Sequence, residues 1–317
     1  METEGRPASW KILLAFSMIY FVWGSTFLAI RVGVHEVPPF MLAAFRFFTA
    51  GVVMYAWLRF RGIPAPSRRE WVASAALGGL IFVVDYGCLF WAEQRVPSGI
   101  AAVVLATIPV FITLMEITFL RTQRLTVRLA LALIVGLCGV AVLMNHSFSL
   151  GEVPINRAGA VALLVAAITW SMATIFTRRL PLPASKPMSA AAQMLSGGAQ
   201  LFVLTAVSGE FKGFRVQAVS WNAWFALVYL IIAGSIVGFT AYVWLLHWES
   251  PTKVGTYAYV NPLVAVSLGY FIGGEAVGPR TLLGTLLVLV SVVAITTTKK
   301  SEAASVSPRS ELVEKTC

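Results

Sequence analysis

Apolar positions in this chain come in long unbroken runs instead of at the spacing of an amphipathic helix or strand. Residues 12–30, ILLAFSMIYFVWGSTFLAI, carry no charge at all. About 18 or more apolar residues with few charges read as a helix that crosses a membrane. The same pattern predicts ten spans, at roughly 12–30, 39–58, 71–92, 99–119, 127–144, 158–177, 188–208, 222–246, 255–273 and 281–298. Short connections marked by Pro or Gly separate them, among them VPP, GIPAPS, RVPSG, LPLPASKP and ESPTKVG. The ending, residues 299–317, is polar, lacks an apolar period and is expected to be disordered.

Composition agrees. The 317 residues are 58% hydrophobic and only 12% charged, where soluble domains carry roughly a quarter charged residues. A mean hydropathy of +0.81 excludes an ordinary water-soluble globule. The net charge of +10 would suggest nucleic acid in a soluble protein. Here the basic residues sit in short connections, as topology signals and contacts to lipid headgroups do. Arg59, Arg61, Arg68, Arg69, Arg121, Arg124, Arg128 and Arg179 fall on the side of the N-terminus, and fewer fall on the other side. That bias predicts both termini inside. The first apolar run is longer than the core of a signal peptide, so it is expected to stay in the protein as a span.

The chain also contains a copy of itself. Shifted by 147 residues, Trp23 meets Trp170, Arg31 meets Arg178 and Gly51 meets Gly198. Further along the shift drifts, so that Pro97 meets Pro251, Pro109 meets Pro262 and Leu131 meets Leu283. Five spans per copy is an odd number, so the second copy enters the membrane from the opposite side. Inverted repeats are a recurring plan of secondary transporters.

Three stretches carry a family resemblance. WGSTF at 23–27 resembles the opening motif of the EamA-type drug/metabolite transporters. WAEQRVPSGIAAVVLATIPVF at 91–111 resembles the YedA-like exporters within that family. NPLVAVSLGYFIGGEAVGPRTLLG at 261–284 resembles its signature between the ninth and tenth spans. The resemblance implies an all-α integral membrane fold, ten transmembrane helices as two inverted five-helix EamA repeats, in the bacterial inner membrane. The division is a cytoplasmic N-terminus at 1–10, repeats at 11–150 and 151–298, and a cytoplasmic tail at 299–317. The resemblance further implies a central cavity and export of a small metabolite. The signature glutamate is Glu275, and the first copy has Gln123 in its place.

The candidate chemistry is intramembrane charge. Arg46 and Asp85 each lie ~10 Å below the same end of their spans at 1.5 Å per residue. Opposite charges at one depth on consecutive spans make a plausible pair, which is how such charges are usually tolerated. Two readings stand: a structural ion pair, or a cavity-facing site in which Asp85 binds a proton or cation and Arg46 meets a carboxylate. In the second copy Asp85 becomes Phe239 and Arg46 becomes Gln193. Tyr86, Trp91, Tyr242, Tyr257, Tyr259 and Asn261 are candidates to line the substrate path. Pro109 and Pro262 fall mid-span at matching positions, as kinks or hinges. Glu93, His247 and Glu249 are expected to be solvated at span ends.

The three cysteines show no metal spacing. No nucleotide-binding or hydrolase motif is present, so neither cofactor nor metal is expected. The expected partners are a small-molecule substrate and membrane lipid, with no nucleic acid, in a monomer or weak homo-oligomer. The expected function is secondary active export of a small amphipathic metabolite, amino acid or drug-like compound. An importer or exchanger is the alternative within transport. A membrane sensor would need a signalling module that the short tail is too small to supply.

Overall fold

The computed structural model describes residues 7–121, 125–144, 156–177, 179–249, 254 and 256–297. The expected disordered tail, residues 1–6, Gln123 and Arg178 lie outside the described residues. Among the described residues the chain forms ten long helical stretches, a short 3₁₀ turn at Val216–Ala218 and no strand. They are α1 Ser9–Val34, α2 Pro39–Phe60, α3 Arg68–Glu93 and α4 Ser98–Thr118, then α5 Val127–Met144, α6 Arg157–Phe176 and α7 Lys186–Val207. After these come α8 at 221–248, α9 Tyr257–Phe271 and α10 Pro279–Thr297. Each predicted span falls on one of them.

Seven of these helices, α1–α4 and α6–α8, are long and apolar enough to cross a membrane. The other three are shorter. With 15 residues, α9 is ~22 Å long, against a hydrocarbon core of about 30 Å. Large apolar side chains point outward all around the bundle, among them Phe21, Phe60, Val72, Phe119 and Val207. In water such a surface would aggregate; against lipid tails it is solvated.

Local chemistry sets where the helices begin and end. Ser67 caps α3 in a reciprocal box with Glu70, and Asn156, Ser185 and Ser220 cap α6, α7 and α8. α2 ends at Gly62, at φ +80°, with Ile63 N–H bonded to Leu58 O at 3.0 Å. α7 ends at Gly209, at φ +76°, with Glu210 N–H bonded to Thr205 O at 3.1 Å. These are the same glycine stop, 147 residues apart, so the copy extends to the caps.

The tertiary contacts obey the same shift. α2 lies antiparallel to α7. A Cβ on Gly51 would stand 2.5 Å from Leu195 N, and one on Gly198 would stand 2.5 Å from Phe48 N. Those contacts exchange when 147 is added to one partner. α5 and α10 repeat the arrangement: Gly136 meets Ser291 and Gly139 meets Val288. α1 packs on α8 and α9, while its counterpart α6 packs on α3 and α4. The two halves therefore interlock helix by helix, with no separate core for either.

The two glycine classes make different predictions. At Gly62 a side chain meets open space, so Gly62→Ala costs only the left-handed strain of about 1–2 kcal/mol. At Gly198 a side chain meets main chain, so Gly198→Leu costs about 3 kcal/mol or more. Thermal unfolding in detergent should rank the two in that order.

Candidate functional site

Three of the long helices contain a π-helical segment: Met18–Val22 in α1, Gly79–Tyr86 in α3 and Leu230–Val237 in α8. Such segments widen a helix locally and recur at functional sites. Here they converge on one aromatic assembly. Trp23 follows the α1 segment and donates its indole N–H to Gly234 O inside the α8 segment, at 3.1 Å. Gly238 leaves room for that indole.

Around Trp23 stand Phe239, Tyr242 and Tyr257, with ring centroids at 5.9, 5.2 and 5.1 Å. On the other side Tyr86 meets Trp170 edge-on at 6.2 Å and stacks on Phe82 at 6.0 Å. Phe82 reaches Phe239 at 6.5 Å, and the Tyr257 hydroxyl lies beside the Trp170 indole. Trp23, Tyr257, Trp170, Tyr86, Phe82 and Phe239 thus form a ring of aromatic side chains from α1, α9, α6, α3 and α8. The two tryptophans are the pair matched by the repeat, one from each half.

Two buried charged side chains adjoin this ring. Arg46 is 1% exposed, and its Nε donates to Ser235 Oγ of α8 at 3.0 Å. Its guanidinium lies over the rings of Phe47, Tyr86 and Phe90, at 4.6, 5.2 and 5.9 Å. Cation–π attraction of this kind strengthens when water is excluded. Asp85 is also 1% exposed, and its Oδ1 has no hydrogen-bond partner.

The expected Asp85–Arg46 pair is not formed: Arg46 uses Ser235 and three ring faces instead. Equal depth was a poor guide because it leaves the azimuth free. Tyr86 and Phe90 share one face of α3, and Asp85, one residue earlier in the π segment, points to another face. α2 meets α3 through Phe47 and the Arg46 guanidinium, which lie on the Phe82, Tyr86 and Phe90 side of α3.

The other candidates separate. Tyr86 and Tyr257 are in the ring, and Tyr242 packs against it. Trp91 lies apart, under the Arg95 guanidinium at 3.8 Å. Tyr259 points to α10, where its hydroxyl donates to Val292 O at 3.2 Å. The Asn261 amide, turned to donate, reaches Tyr20 O at 3.0 Å and Tyr257 O at 3.2 Å, tying α9 to the π segment of α1. Pro262 lies inside a continuous α9. Pro109 instead follows a break at Ala106 and Thr107 and occupies the first turn of Ile108–Thr118. Trp23, Trp170, Phe82 and Phe239 were absent from the candidate set, although the Trp23–Trp170 match was visible in the repeat.

At the end of the bundle away from the start of α1, three glutamates bridge the halves by binding helix N-termini. Glu275 accepts from Ser98 N–H at 2.7 Å and Gly99 N–H at 3.1 Å, and pairs with Arg31 Nε at 3.1 Å. Glu210 accepts from Met41 N–H at 2.8 Å at the start of α2. Glu36 accepts from Ser220 N–H at 2.5 Å and Ser220 Oγ–H at 2.6 Å at the start of α8. Carboxylates suit this end of a helix, where N–H groups are unpaired and the dipole is positive. The Ser220 bonds hold the Glu36 carboxyl below its usual range. Burial pushes Glu210 up, against its two main-chain bonds.

Glu93, expected to be solvated, is instead fully buried, with both carboxylate oxygens unpartnered. Glu249 is half-buried, and the His247 side chain lies outside the described residues. At the opposite end a groove of about 740 Å³ opens between α1, α2, α7 and α8, lined by Trp10, Leu14, Trp57, Pro187, Val237 and Trp244 among others.

Glu275→Gln removes one charge of a largely buried pair and should lower stability by about 2 kcal/mol in thermal unfolding. Glu36 has a lowered value, so its contribution is present above the usual carboxylate range and is lost as pH falls through that lowered value. Glu36→Gln should therefore flatten the acid limb of stability against pH and leave the neutral-to-alkaline limb in shape.

Comparison with known proteins places this arrangement. The family model described as the EamA-like transporter family matches twice, at residues 9–145 and 157–297. The chain is 36% identical over 285 residues to the uncharacterized inner membrane transporter YedA of Escherichia coli K12, covering 89% of each chain. It is 26% identical to a WAT1-related chloroplastic protein of Arabidopsis thaliana, covering 91% of this chain and 69% of that one. A solved crystal structure superposes with a TM-score of 0.62 at 23% identity, over 92% of this chain and 98% of the other, a likeness of fold.

Proposed function

The chain belongs to the EamA-like transporter family, and from that premise we propose that it exports a small amphipathic compound across the bacterial inner membrane by alternating access. The compound would be a metabolite, an amino acid or a drug-like molecule. The inner-membrane location is carried over from the YedA relative, an inner membrane transporter. In this reading all ten helices span the bilayer as two inverted repeats, 11–150 and 151–298, with both termini in the cytoplasm. The reciprocal antiparallel contacts of α2 with α7 support the inversion, because equivalent helices running in opposite directions need a twofold axis in the membrane plane.

The observation that carries the proposal is the aromatic ring shared by both halves. An organic group held among Trp23, Tyr86, Trp170 and Tyr257 touches elements that rocking would move apart. Aromatic faces suit apolar and cationic groups alike. Asp85 beside them is the candidate for a proton or a substrate cation, and Arg46 is the candidate for a substrate carboxylate. Pro109 and Pro262 are the hinge candidates, Pro109 at an existing break in α4. The glutamate bridges support a state closed at the end of the bundle away from the start of α1.

Flux in proteoliposomes against a compound panel, with and without a pH gradient, tests the proposal. A transported compound should emerge, and Asp85→Asn should abolish its pH dependence while leaving the protein folded. Trp23→Ala should raise the half-saturating concentration about tenfold, the equivalent of one stacking contact. Failure of every compound to move would defeat the transport reading. Normal proton-coupled flux in Asp85→Asn would defeat the role of Asp85.

A further inference from the structure

Glu93 is the last residue of α3 and is 0% exposed, yet neither of its carboxylate oxygens has a hydrogen-bond partner. An ionised carboxylate without a partner is among the costliest groups to bury. The charged groups that reach it are Glu275 beyond α9, Arg31 of α1 and Arg46 of α2; α6, which also packs on α3, contributes none of these interactions. Arg31 is already committed. It pairs with Glu275 and gives Nη1 to the main-chain carbonyls of Glu93 and Val96, at 2.9 and 2.7 Å. Arg46 is not: its Nη1 is buried and unpartnered.

The face of α3 makes Arg46 and Glu93 natural counterparts. Tyr86, Phe90 and Glu93 follow at i, i+4 and i+7, one stripe of a helix. Arg46 lies over the first two rings of that stripe, and Glu93 is the next polar group along it. Here the buried cation is held by Ser235 of the second half and by the rings alone, with a carboxyl within electrostatic reach.

We propose that Glu93 is a second proton-binding site, protonated in this conformation, and that Arg46 is its counter-charge once the proton leaves. In that step the carboxyl O–H bond breaks and the proton passes to water. The resulting carboxylate then accepts from Arg46 Nη1. Nη1 is free for that bond while Nε holds Ser235, so proton release at Glu93 adds a tie between α2 and α3 to the one between α2 and α8. The coupling to movement rests on the transport reading, whereas the proton site does not.

Infrared titration of the protein in phospholipid vesicles tests the site directly through the carbonyl stretch of protonated carboxylic acids. Glu93→Gln should remove one component of that band, which wild type and Asp85→Asn both keep. A titration of Glu93→Gln that retains every wild-type component overturns the proposal. Should that variant not fold, Glu93→Asp must shift the component in position, and an unshifted spectrum overturns the proposal equally. In flux, Glu93→Gln should equalise rates at mildly acidic and alkaline pH, and a wild-type pH profile refutes the coupling. Loss of the band with no compound transported would uphold the proton site and defeat the transport reading. Flux with an unaltered band would do the reverse.

Discussion

Between α2 and α7 the main chains touch. Gly51 lies on the backbone at Leu195 and Gly198 on the backbone at Phe48, and any side chain at either glycine would part the helices. Lipid tails are as apolar as the helices they surround, so burial drives helix association weakly and close packing must supply much of the rest. That contact binds the two halves at their centre. It also places Arg46, on α2, against Ser235 of α8, and brings the aromatic residues of both halves into one ring.

The charges around the centre follow from the absence of water. A buried arginine without a carboxylate is tolerable where ring faces and a hydroxyl take over, and Arg46 has three rings and Ser235. Asp85 and Glu93 lack comparable partners, since Asp85 has one unpartnered oxygen and Glu93 two. Polar groups left this costly inside a membrane protein point to ion or substrate pathways more readily than to scaffolding. The second copy has Phe239 where the first has Asp85, so the halves share a frame but not this carboxylate.

The ends of the bundle divide the labour in another way. At one end Glu36, Glu210 and Glu275 join the halves by binding helix N-termini. Such bonds depend on helix dipoles and carboxylate charge, so they form and break without repacking a core. At the other end the helices part around an apolar groove.

Residue pattern alone determined a great deal here. Runs of about 20 apolar residues have few other uses, so the ten long helices were legible. The repeat was legible too, because close contacts permit only glycine and Gly51 and Gly198 recur at one shift; the matching helix stops at Gly62 and Gly209 came from the structure. Trp23 and Trp170 were visible as a match without their role. What tertiary structure decided was azimuth and partnership. Depth along a span follows from counting residues, but the direction in which Asp85, Glu93 or Tyr259 points depends on rotation of each helix against its neighbours. An unbroken apolar run has no polar face to reveal that rotation, so Arg46 found Ser235 across the repeat boundary instead of Asp85 on the adjacent span.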